Sequence, residues 1–251
     1  MRVMSFNLRY DNVEDGQYRW RNRFPAVKKV FKEYKPDIIG IQEGLPHQVD
    51  DLKNFFDFYK YFGTGRKEEE GSEQIGIFYK EDNNLILKES GNFWLSKTPD
   101  IKGSKDFGSD VPRLANWIVF NIKEKNKDLL VINTHYDNVS KLAREKSTEI
   151  ISDFVKDKNI TENIVVTGDF NTGSNSKPIK NLKTNIHLKD ALAELGKKES
   201  TFHNFAGDGI FRIDFIFCSK LFNIKDGGVI KNKFKEIYPS DHYPIYADLS
   251  F

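Results

Sequence analysis

The chain has 251 residues, 38% hydrophobic and 30% charged, a balance ordinary for a globular protein and enough to bury an extensive core. A formal net charge of +2 neither indicates nor excludes a nucleic-acid partner, because a local basic patch can bind phosphate on a nearly neutral protein. The single cysteine, Cys218, excludes an intramolecular disulfide framework and a cysteine-based zinc site.

Arg2 to Leu8 reads as a strand. Arg23 to Lys35 reads as a helix, with Ala26, Val27, Val30, Phe31 and Tyr34 on one face. Pro36 ends it, and Asp37 to Gln42 is a buried strand. Pro46 to Phe56 is a second helix, with proline in its first turn, where a missing N–H does no harm. Strands are expected near Gln74 to Lys80, Leu85 to Phe93, Asn116 to Ile122 and Leu129 to Thr134. A long helix over Ser140 to Lys158 follows, then strands at Ile164 to Thr167, Ile210 to Cys218, Gly228 to Phe234 and Ile245 to Phe251. Cys218 lies in an apolar run and reads as a buried, inert thiol.

This order divides into two related halves meeting between Ile122 and Leu129. Helices are missing between Gln74 and Ile122, so a continuous parallel barrel does not fit. Two mixed β-sheets packed face to face and flanked by helices do, as one domain over residues 1–251. No apolar stretch approaches the roughly 20 residues of a membrane span. The chain starts directly into a strand, so the sequence as given is expected in the cytoplasm, or in the periplasm or outside the cell if a leader was removed. A monomer is expected.

Several buried strands finish in polar residues: Asn7, Gln42-Glu43, Thr134-His135 and Gly168-Asp169-Phe170-Asn171, while Ser240-Asp241-His242 precedes the last strand. Strand ends carrying carboxylates, amides and imidazoles at one rim are how a rigid scaffold assembles a site. Asp169 and Asn171 can hold and deprotonate a water, or form an Asx turn. Glu43, beside an apolar run, needs a partner, either a hard divalent cation or an arginine. Asp214, in another apolar run, suits a histidine, whose tautomer it would fix. His135 can ligate a metal or face a phosphate oxygen, with Asp137 beyond it. His47, His187 and His203 read as core or surface residues. No Gly-x-Ser-x-Gly, Walker loop, His-Glu-x-x-His or dinucleotide fingerprint is present.

The strings SFNLRY, IIGIQEG, VINTHYDN, VVTGDFNT, RIDFIFCS and SDHYPIYADL run in order from Ser5 to Leu249. Together they resemble the endonuclease/exonuclease/phosphatase superfamily with the deoxyribonuclease-I-like fold, and its compact bacterial hydrolases in particular. The resemblance implies a four-layer α/β sandwich and a Mg²⁺- or Mn²⁺-dependent phosphoesterase site. It implies Glu43 and Asn7 at the metal, with Asp241 in or behind its shell. It further implies Asp169 as the base for the attacking water, Asn171 assisting, His242 on the scissile phosphate supported by Asp214, and His135 on phosphate or leaving group. The abasic-site nucleases carry tyrosine at the last position, so His135 speaks against that subgroup.

Candidate substrate contacts are Arg113, Asp137, and Arg19 with Trp20, an aromatic between basic residues that can stack on a base or tuck into the core. Ser200 to Gly209 could form a lid. The expected partner is a phosphate ester, most readily a phosphodiester of a small molecule, lipid headgroup or phosphorylated glycan. A nuclease and a non-catalytic binding fold are the alternatives, the latter disfavoured because every matched catalytic position is filled.

Overall fold

The computed structural model describes residues 1–81, 84–160 and 162–250. Alternating apolar residues build the strands β1 (Arg2–Asn7), β2 (Ile38–Gly44), β3 (Tyr59–Gly65), β4 (Gln74–Lys80), β5 (Leu85–Trp94), β6 (Leu114–Ile122) and β7 (Lys127–His135). After them come β8 (Ile164–Asp169), β9 (Leu188–Asp190), β10 (Asp214–Ser219), β11 (Asn223–Val229) and β12 (Ile245–Ser250). The helices are α1 (Trp20–Tyr34), α2 (Pro46–Phe55), α3 (Lys141–Asp157), α4 (Lys177–Asn185) and α5 (Ala191–Glu194).

Two six-stranded sheets form, in the orders β11-β12-β1-β2-β4-β3 and β5-β6-β7-β8-β10-β9. Period-two alternation decides what each face covers. Val3, Ile38, Ile77, Ile118, Val131, Val165 and Ile216 point between the sheets. Their neighbours Met4, Phe6, Ile39 and Ile41 pack outward on Val27, Phe31 and Leu52 of α1 and α2. On the other sheet, Ile132, Val166 and Phe217 pack on Ile151, Val155, Ile179 and Leu182 of α3 and α4. The result is the expected four-layer α/β sandwich. Full burial of each such side chain contributes roughly 1.5–3 kcal/mol.

The expected seam between Ile122 and Leu129 is wrong. Those residues bound the β6–β7 hairpin of one sheet, paired from Ala115↔Thr134 to Ile122↔Lys127. The sheets divide between β4 and β5, and the chain returns to the first sheet at β11. Ile210 to Ile213 is not strand, and β11 lies earlier than the apolar run at Gly228 to Phe234. β3, α4, β9 and α5 were not expected.

Register brings the polar strand ends to one edge. β1 and β2 are parallel, with Asn7 opposite Gln42. β7 and β8 are parallel, with His135 opposite Asp169. Antiparallel β10 starts where β8 ends, pairing Asp214 with Asp169. Antiparallel β12 starts where β1 ends, pairing Ile245 with Ser5, so His242 arrives at the same rim.

Beneath that rim the sheets are tied by buried polar groups. Asn133 Nδ2 donates to the carbonyls of Ile41 (2.8 Å) and Gly76 (3.0 Å), and its Oδ1 accepts from Gln42 Nε2 at 2.7 Å. Gly40 lies against Asn133 and Thr167 so closely that any Cβ would collide with both side chains.

Candidate active site

Glu43 leaves β2 at a register shift in the β2–β4 pairing, with φ of 59°. A left-handed conformation is unfavourable for glutamate, so the surrounding structure imposes it. It turns the carboxylate into the cleft. Asn7 Nδ2 donates to Glu43 Oε1 (3.0 Å) and to Asp169 Oδ2 (3.1 Å), linking carboxylates from opposite sheets. Asn171, also left-handed, donates its backbone N–H to Asp169 Oδ1 at 2.9 Å. Asp169 Oδ2, which accepts from Asn7, also lies 3.4 Å from His135 Nε2.

His242 Nδ1 pairs with Asp214 Oδ2 at 2.8 Å, and its Nε2 lies 3.8 Å from Asp169 Oδ2. Burial opposes charge on His242, but Asp214 and Asp169 outweigh it and raise its pKa well above the ordinary value. The two carboxylates thus favour the charged form of the ring. Burial, reinforced by Asp214, pushes Asp169 up to about 7. His135 behaves oppositely. Burial, with Arg113 and Arg66 nearby, holds it well below its usual value, and its Nε2 is 3.1 Å from Asn171 Nδ2. Its surroundings thus favour the uncharged ring.

Among the described residues, two groups could hold a metal ion: Glu43, His135 and Asp169, and Asp169, Asp214 and His242. Within each, ligand atoms lie within 4.8 Å of one another, and Asp169 belongs to both. His242 is occupied by Asp214 and charged, so the first group is the better cation site. Its two carboxylates match the oxygen-rich ligation of Mg²⁺ or Mn²⁺.

The cleft has a volume of about 740 Å³. Its walls include Glu43, His135, Asp169, Asn171 and His242 together with Arg9, Arg66, Arg113, Arg212, Phe202 and Phe211.

A profile of the endonuclease/exonuclease/phosphatase family matches residues 4–242. The chain belongs to this family. Over all of both chains it is 30% identical to a mannosyl-6-phosphatase from Bacteroides thetaiotaomicron, with a TM-score of 0.90. An endonuclease/exonuclease/phosphatase from Bacteroides vulgatus is 31% identical over 99% of this chain and 98% of its own, with a TM-score of 0.91. The human Nocturnin catalytic domain, solved with bound sulfate, shares the fold at 20% identity, covering 100% of this chain and 93% of its own, with a TM-score of 0.79. No curated protein sequence matches at a significant level. Membership and the candidate metal-ligand groups make a hydrolase of this endonuclease/exonuclease/phosphatase type.

The rim gathers Asn7, Glu43, His135, Asp169, Asn171, Asp214 and His242, but other expected positions differ. Asp241 lines the cleft without entering either candidate metal group, and its Oδ2 lies 3.8 Å from Arg9 Nε. Trp20 does not face substrate. It is 2% exposed, and its indole N–H donates to Asp51 at 2.7 Å. Arg19 pairs with Asp11 at 2.6 Å, away from the cleft walls. Asp137 is fully buried and accepts from the backbone N–H groups of Val139, Ser140 and Asp110 and from the Ser109 hydroxyl, so it shapes a loop. Arg113 does line the cleft. The expected lid over Ser200 to Gly209 is instead pinned by backbone N–H groups of His203 and Asn204 on the Asp241 carbonyl, and Phe205 stacks on Tyr18. It contributes Phe202 and Asn204 to the wall.

Arg9, Arg66, Glu73, Arg212, Phe202 and Phe211 were missed. Arg9 and Arg212 sat inside the motif strings SFNLRY and RIDFIFCS, so their placement was available; Arg66 and Glu73 lie where no pattern marks them.

Proposed function

We propose that the protein is a metal-dependent phosphoesterase that hydrolyses a small phosphorylated molecule. The observation that supports it most is Asp169, shared between the Glu43–His135 carboxylate group and the Asp214–His242 pair. A sugar phosphate is the favoured class, because a full-length relative is named a mannosyl-6-phosphatase and the cleft is compact.

Glu43 would hold Mg²⁺ or Mn²⁺, with Asn7, His135 and Asp169 beside it. Such an ion, when bound, neutralises phosphoryl charge and lowers the pKa of Asp169 by its own field. Asp169 Oδ2 would take a proton from water as that water attacks phosphorus and the P–O bond to the alcohol breaks, the departing alkoxide taking a proton from solvent; the other oxygen of Asp169 is held by the Asn171 N–H. His242, fixed through Nδ1 by Asp214, presents Nε2–H to the phosphoryl oxygen on which charge grows. His135, neutral, stays oriented by Asn171.

A substrate panel tests the reading. Sugar 6-phosphates, p-nitrophenyl phosphate, bis-p-nitrophenyl phosphate, inositol phosphates and single- and double-stranded nucleic acid are each assayed with Mg²⁺, Mn²⁺ or chelator. A small phosphate ester turned over only with a divalent ion is expected. Nucleic acid cleaved in preference to every small ester would replace this reading with a nuclease.

A further inference from the structure

The strand order gives the cleft two unlike flanks. The centre lies at β1–β2 and β7–β8. Beyond β8 and β10 the wall carries Phe202, Phe211 and Arg212. Beyond β2 and β7, at the ends of β3 and β6, it carries Arg66 and Arg113.

The cleft arginines are unequally compensated. Arg9 pairs with Asp15 at 3.0 Å, Arg66 with Glu73 at 2.6 Å, and Arg212 with Asp190 at 2.6 Å. Arg113 is 7% exposed, yet its hydrogen-bond partner is the uncharged amide of Asn138, at 3.0 Å. The nearest carboxylate oxygen, Asp137 Oδ2, stands 3.8 Å from Arg113 Nε and is already taken by Ser109 and the Asp110 N–H. Among the described residues Arg113 Nε has no hydrogen-bond partner; the same holds for Arg66 Nε and Arg212 Nε, but those two guanidiniums have a carboxylate on another nitrogen. A buried guanidinium without a hydrogen-bonded counter-ion is unfavourable, and an incoming anion removes that penalty. Arg66, itself paired with Glu73, lies on the same flank, as does Glu43, and Arg113 is built for bidentate contact with carboxylate or phosphate.

We propose that the Arg113–Arg66 flank is an anion subsite, selecting substrates that carry a second negative group besides the phosphoryl group at Asp169 and His242. The proposal rests on the phosphoesterase reading for the identity of that first group. Position supports two separate anions. Arg113 and Arg66 adjoin His135 and Glu43, with Asp169 between them and the His242–Asp214 pair. The second group is a carboxylate or a phosphate.

Ligand pairs differing in one anionic group test this. 3-Phosphoglycerate differs from glycerol 3-phosphate by a terminal carboxylate, and fructose 1,6-bisphosphate from fructose 6-phosphate by a phosphate. Each is titrated calorimetrically into the full chain with chelator present, so binding is read without turnover. The unaltered protein is expected to hold the member with two anionic groups about 10–100-fold more tightly in at least one pair. The pair that responds identifies the second group.

Arg113→Gln is expected to bring that ratio to within about two-fold, whereas Arg212→Gln, on the other flank, preserves it. Arg66→Gln, which also leaves Glu73 unpaired, lowers the ratio and replaces the first variant if that one does not fold. The subsite is rejected if the unaltered protein shows no preference, if the preference survives Arg113→Gln, or if Arg212→Gln removes it equally. Failure of the hydrolysis panel would reject the phosphoesterase reading while leaving this binding ratio measurable.

Discussion

His242 is held between two carboxylates: Nδ1 lies 2.8 Å from Asp214 Oδ2, and Nε2 lies 3.8 Å from Asp169 Oδ2. One acid fixes the ring and the other shares its catalytic face. Asp214 therefore has no need to touch substrate to matter. Asp214→Asn keeps the shape but removes the charge that sustains the imidazolium. A loss in kcat of roughly 10²–10⁴ is expected, with a much smaller change in KM. Steady-state kinetics on the best small ester, with circular dichroism to check folding, measure it; kcat within a few-fold of the unaltered enzyme would contradict the role.

Glu43 occupies a left-handed conformation with φ of 59°. Glu43→Ala and Glu43→Gly both remove the carboxylate, but only glycine relieves the backbone. The glycine variant should be more stable by about 0.5–1 kcal/mol, since relief of a left-handed residue is partly offset by glycine's greater freedom when unfolded. Denaturant unfolding in chelator measures the difference. Mg²⁺ should raise the melting temperature of the unaltered protein and neither variant's.

His203 is fully buried and stacks on Tyr243 at 3.9 Å between ring centroids. Burial, with His242 nearby, lowers it to about 4, against a weaker pull from the Ser240 backbone. Its folded value lies below the unfolded one, near 6.5. The stability it contributes is thus complete above pH 6.5 and is lost as the pH falls toward 4. The full loss is at most about 3 kcal/mol. His203→Phe should flatten this part of the stability–pH curve, read by urea unfolding between pH 7.5 and 4.5; an unchanged slope would refute it.

Gly40 marks the closest approach of the two sheets, where a Cβ would strike Asn133 and Thr167. Gly40→Ala should cost about 1–3 kcal/mol through overpacking. Because Asn133 also holds the Ile41 carbonyl just before Glu43, activity should fall further than the stability loss alone explains. Equal stability of the two proteins in urea would contradict this packing.

The rim residues were legible because each ends or precedes an apolar run; parallel pairing of β1 with β2 and of β7 with β8 brings those strand ends to one edge, where antiparallel β10 and β12 begin. Helices α1, α2 and α3 were legible from apolar spacing. β3 was not, because Tyr59–Gly65 is half-exposed, with two glycines and little aliphatic content. β11 sits at a sheet edge with a largely exposed, polar sequence, so the apolar run just after it drew the assignment. Trp20 between arginines looked like a stacking platform. Its packing on Phe24, four residues along α1, is local, but its bond to Asp51 of α2 is a tertiary contact that local sequence does not show. The pairing state that sets Arg113 apart from the other cleft arginines is likewise a property of the fold.

The most direct measurement is the rate of phosphate release from the best small ester by the unaltered protein, by Asp169→Ala and by His242→Ala, each with Mg²⁺ or Mn²⁺ and with chelator. The account predicts release that requires the ion and falls by roughly 10²–10⁴ in each variant while both remain folded. Release indifferent to chelator, or near-normal rates in both variants, would contradict it.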